Sequence, residues 1–111
     1  MVITKKIQGY NLVIISNYAI GGGHQKGYVH LFGENSKYLG YFGIIKNGKS
    51  LPRNKQHPDG TLCIHIHESE LEAIITTFKT QSPIFITFDT STKWGSLVIG
   101  KYATSTNELA A

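Results

Sequence analysis

Two histidines one residue apart, His65-Ile66-His67, are the sharpest chemical feature of this 111-residue chain. Side chains two apart on a strand project from one face, so both imidazoles can address a single ligand or proton-transfer site. Zinc would use both nitrogens and one or two further His, Cys or carboxylate ligands. Cys63 shares the expected face, and His24, His30 and His57 lie elsewhere in the chain. No second spaced pair completes the set. A divalent metal at His65 and His67 is therefore a minor alternative, and no cofactor is expected. A second chemistry needs no metal: His65 and His67, with Lys or Tyr neighbours, would act as general acid and base in a small nuclease or phosphoesterase.

A basic stretch makes the stronger binding candidate. Lys46, Lys49, Arg53, Lys55 and His57 stand among Asn47, Asn54 and Gln56, with no acid before Asp59. Cations and amides on a loop suit phosphate contacts, which supply affinity that does not depend on base sequence. Tyr38 and Tyr41 precede this loop and add stacking surfaces if exposed. No zinc-finger, helix-turn-helix or RNA-recognition signature accompanies them. Gly21-Gly22-Gly23-His24 matches neither the P-loop nor the dinucleotide spacing and reads as a hairpin loop. Cys63, mid-strand without a helix N-terminus to activate it, reads as a buried inert thiol. Asp89 reads as a turn residue beside Thr90, and Trp94 as a core anchor.

The elements that must hold these residues are mostly strands. Alternation marks Tyr10–Ile20 as a long strand buried on one side. Gly27–Phe32 follows as a hairpin arm, and Glu34-Asn35-Ser36 makes a turn. Lys37–Ile45 is apolar on both faces, with Gly40 and Gly43 inviting a bulge. Asn47-Gly48 is a hairpin-turn signal. Ser50–Gly60, with Pro52 and Pro58, is a loop, and Thr61–His67 resumes alternation. The helix is expected over Glu68–Lys79. Ser69 and Glu72 match a capping box, and Leu71, Ile74, Ile75 and Phe78 form one apolar stripe. Ile84–Asp89 and Trp94–Tyr102 complete the pattern. Together they predict a small α+β domain over residues 1–102, followed by a polar tail at 103–111. Its mostly antiparallel or mixed sheet has about six strands, with one amphipathic helix on one face. A βαβ crossover from Thr61–His67 to Ile84–Asp89 would make the sheet mixed.

Composition narrows the setting. Twelve aromatics and twelve glycines with 16% charged residues fit a turn-rich sheet domain rather than a disordered chain. One cysteine excludes an internal disulfide, and the N-terminus lacks a signal-like apolar segment, so a cytoplasmic protein without membrane contact is expected. Residues 1–60 carry +6 and the remainder −2, which places an anionic partner against the first half. The last three residues, Leu109-Ala110-Ala111, resemble the end of the bacterial tmRNA degradation tag, which implies a bacterial or phage setting. The leading expectation is a non-catalytic binding or regulatory module. It would use its basic loop and sheet face on an acidic protein or nucleoprotein partner, or on nucleic acid. The nuclease above and a homo-oligomer built through an exposed strand edge are the alternatives.

Overall fold

Apolar residues at alternate positions demand a buried sheet face, and the computed structural model supplies two such faces closing on one core. It describes residues 1–15 and 24–100. Five strands form one sheet in the order β2 (Gly9–Ile14), β3 (Gln25–Phe32), β4 (Tyr38–Ile45), β6 (Leu62–His67) and β5 (Lys55–Gln56). Three form the other: β1 (Val2–Ile7), β7 (Ile84–Asp89) and β8 (Gly95–Ile99). All pairings are antiparallel except β4 with β6. The α+β class and one helix are as expected, with eight strands in two sheets among the described residues where about six in one were read.

The core joins both sheets. Val29, Leu31, Phe42, Ile44, Leu62, Ile64 and Ile66 come from the larger sheet, and Ile86 and Phe88 from the smaller. The sheets approach so closely at Gly95 that a Cβ there would stand 2.5 Å from Ile64 Cδ1. Burying one such aliphatic side chain stabilises the fold by about 1.5–3 kcal/mol. The helix α1 (Leu71–Thr80) adds Leu71, Ile74, Ile75 and Phe78, half-buried against this cluster. Its stripe is as the spacing predicts, and Phe78 meets Tyr10 of β2 at a ring separation of 5.0 Å. No helix among the described residues is long and apolar enough to cross a membrane.

Several local expectations are corrected. Asn47-Gly48 forms a turn but closes no hairpin, because β4 and β6 run parallel and the loop between them must return along the sheet. Within that loop Lys55 and Gln56 form a short strand on the β6 edge. The helix does not make a crossover within one sheet; it carries the chain from the five-stranded sheet to the three-stranded one. Its cap also moves. A 3₁₀ turn at Glu68–Glu70 precedes α1, and Glu70 Oε1 accepts from the His67 amide at 3.0 Å. Asn47 Oδ1 accepts from the Ser69 amide, and Glu68 Oε2 from the Asn47 amide, both at 3.0 Å. A box of His67 and Glu70, joined by Asn47 from a distant loop, thus does what the Ser69/Glu72 box was expected to do.

Trp94 is 59% exposed and anchors no core. Strand β1 was not anticipated: Lys5 and Lys6 interrupt its alternation. Pairing with β7 stabilises it, and Lys5 Nζ reaches the Gly60 carbonyl at 2.7 Å. Of the long expected strand only residues 10–15 fall among the described residues, and β2 covers them as far as Ile14. Residues 16–20, the Gly21–Gly23 loop, the end of the Trp94–Tyr102 strand and the 103–111 tail lie outside them. Among the described residues strand β2 is an open edge, with Leu12, Val13 and Ile14 exposed.

Candidate functional site

The outward face of the five-stranded sheet is where the chemically useful side chains meet. Period-two alternation sends Val29 and Leu31 inward and Tyr28, His30 and Phe32 outward on β3. On β4 the same rule would separate Tyr38 from Tyr41. A bulge resolves this: Leu31 pairs with Gly40 and Phe32 with Tyr38, leaving Leu39 as the extra residue. Both tyrosines therefore face outward. Gly40 is required here, since its φ is +133° and a Cβ would overlap the Leu62 carbonyl of β6.

Register then builds a row across all five strands: Asn11, His30, Tyr41, Cys63 and Lys55 are successive cross-strand neighbours. Around Tyr41 the rings are continuous. Its centroid lies 5.3 Å from Tyr28, 6.1 Å from His30 and 6.3 Å from His57, whose ring stacks at 29°. His30 stacks on Tyr28 at 5.7 Å and leans on Tyr38 at 5.6 Å. His30 Nδ1 and the Tyr38 hydroxyl share a 2.7 Å hydrogen bond. Such ring pairs contribute about 0.5–1.5 kcal/mol beyond their burial and hold the platform in shape.

Tyr38 and Tyr41 carry no charge near neutral pH. A hydrogen bond with the Cys63 thiol, then burial, pushes Tyr41 well above the ordinary phenol range, and burial raises Tyr38. Cys63 is buried, as expected of an inert thiol, with its sulfur 3.6 Å from His65 Nε2.

The His65–His67 pair is occupied structurally. Burial lowers the pKa of His65, helped by the nearby Lys55 charge. Its Nδ1 is buried without a partner; the Pro52 carbonyl is near enough to offset part of that shift but not in bonding geometry. The His65 amide is held by Asn54 Oδ1 at 2.8 Å, and Asn54 also donates to the Lys93 carbonyl at 3.0 Å. His67 Nε2 bonds the Lys49 carbonyl at 2.7 Å, and its Nδ1 lies 3.8 Å from Glu70 Oε1. No group of three or more His, Cys, Asp or Glu side chains suited to a metal occurs among the described residues.

Of the basic loop, the structure brings Lys55 and His57 to the ring platform. Lys46, Lys49 and Arg53 are exposed along the approach to the β6 edge. Tyr28 was not singled out by the sequence, and His30 only as a further histidine for a metal, although their period-two spacing opposite Val29 and Leu31 was the available signal. A cleft of about 590 Å³ lies elsewhere, between the end of α1 and the β1–β2 junction, lined by Lys6, Tyr10, Phe78, Lys79 and Pro83. No sequence candidate lines it. Comparison with known proteins returns no matching family model, no matching curated relative and no matching solved structure.

Proposed function

We propose that the protein is a binding module for single-stranded nucleic acid, held on the outward face of its five-stranded sheet. The observation that carries this reading is the continuous cluster of Tyr28, His30, Tyr38, Tyr41 and His57 beside Lys55. Flat rings on a sheet offer unpaired bases a stacking surface worth about 1–3 kcal/mol per base. Cations on the flanking loop track the phosphates between them. The cations alone would also suit an acidic protein; the ring platform beside them is what favours unpaired bases. A chain with one thiol, buried and reduced, is suited to the reducing cytoplasm proposed as its setting.

Fluorescence anisotropy with a labelled single-stranded oligonucleotide tests the reading. Affinity should fall with salt along a log–log slope of about −0.7 per phosphate neutralised. Equal binding to poly-glutamate, or no binding at low salt, would overturn it. A second reading, self-association, is favoured by one observation: the open β2 edge with exposed Leu12, Val13 and Ile14. Light scattering at high concentration decides it, since a strictly monomeric mass rules it out.

A further inference from the structure

We propose that the same face cleaves RNA, with His30 and His57 as the proton-transfer pair. This rests on the nucleic-acid reading above and adds a reaction to it. The two imidazoles flank one ring: His57 stacks on Tyr41 while His30 meets it edge-on, at centroid distances of 6.3 and 6.1 Å. A base laid on this platform would bring its ribose and the adjoining phosphate near both.

Each histidine is held in place by contacts that spare part of its ring. His30 is tied through Nδ1 to the Tyr38 hydroxyl, so Nε2 is the nitrogen left for proton transfer. His57 has its backbone pinned on both sides, donating to the Thr61 carbonyl at 2.8 Å and accepting from the Gly60 amide at 2.9 Å. Lys55, in the same cross-strand row as His30 and Tyr41, supplies a cation for the charge that builds on the phosphoryl oxygens. The other histidine pair is unsuited to this role. His65 is half-buried against Cys63, and His67 is bonded to Lys49 and close to Glu70.

The reaction balances without any co-reactant. One imidazole takes the proton of a ribose 2′-hydroxyl, and the 2′ oxygen attacks the neighbouring phosphorus. The P–O5′ bond breaks, and the second histidine, protonated beforehand, gives its proton to the departing 5′ oxygen. The products are a 2′,3′-cyclic phosphate and a 5′-hydroxyl. DNA lacks the nucleophile and is bound but not cut.

The test uses the full chain with a labelled single-stranded RNA and its all-deoxy counterpart, in buffer containing EDTA. Both strands should bind, and only the RNA should be cut, leaving 2′,3′-cyclic phosphate ends. His30→Ala and His57→Ala should each slow cutting about a hundredfold or more at RNA concentrations that saturate the variant, so that lost affinity is separated from lost cutting. Should an alanine variant fail to fold, His30→Asn and His57→Asn keep a polar side chain and carry the same expectation. RNA that binds and stays intact overturns the cleavage proposal and leaves the binding reading standing, and cutting that survives either substitution does the same. Failure of both strands to bind overturns the binding reading and this proposal with it.

Discussion

The two faces of the five-stranded sheet are built from alternate residues of the same strands, yet they differ in kind. Inward, Val29, Leu31, Phe42, Ile44, Leu62, Ile64 and Ile66 are all buried in a wholly apolar core. Outward, Tyr28, His30, Tyr38, Tyr41, Cys63 and His65 present rings, hydroxyls and ring nitrogens that contact one another. An ordinary solvated face would carry Lys, Glu and Thr. Concentrating polar aromatics on one outward face leaves stacking surface half-exposed, which contributes little to folding and is suited to binding.

That contrast breaks if substitutions on the two faces have the same consequence. The largest effect is expected inside: Phe42→Ala should lower stability by about 3–5 kcal/mol, read by denaturant unfolding. Next, Tyr41→Ala should weaken single-strand binding by about 1–3 kcal/mol in an anisotropy titration, with a smaller loss of stability. A Tyr41→Ala variant that loses stability like Phe42→Ala without losing affinity would show the outward rings to be a second core. Lys55→Ala should act more weakly, reducing the log–log salt slope by about 0.7. Replacing Lys79, on the far end of α1, should leave that slope unchanged.

The smallest effect concerns pH and His65. Burial favours its neutral ring in the folded state, whereas the unfolded chain takes up the proton near pH about 6.5. The unfolded state therefore binds more protons below that pH. The stability contributed by the neutral ring is complete above about 6.5 and declines as pH falls toward the lowered folded value. His65→Gln should remove part of this acid-side loss, seen as a flatter dependence of the unfolding midpoint between neutral and mildly acidic pH. An unchanged profile would place His65 in water rather than under the loop.

Much of the scaffold was legible because it follows from short-range periodicity. The stripe Leu71, Ile74, Ile75, Phe78 commits that segment to a helix with one buried side, and alternation in Leu62–His67 commits it to a strand. The tight pairing at Gly40 was foreshadowed by glycines in an otherwise apolar run. The candidate site was legible only in pieces. Tyr38, Tyr41, Lys55 and His57 could be named, but their convergence depends on a bulge at Leu39 and on a parallel β4–β6 pair that no local signal announces. His65 and His67 drew attention by adjacency, and adjacency did not leave them free for chemistry.

By itself, the order of residues determined the helix, the strands other than β1 and β5, and that the first sixty residues hold the positive charge. Those outcomes rest on backbone sterics and side-chain period, which act over a few residues. Tertiary structure alone decided that the strands divide into two sheets, that Asn47 caps a helix more than twenty residues away, and that His30 and His57 flank one tyrosine. The physical reason is that register across strands is set by how the whole apolar surface closes on itself, so side chains far apart in sequence become neighbours only when that surface is buried.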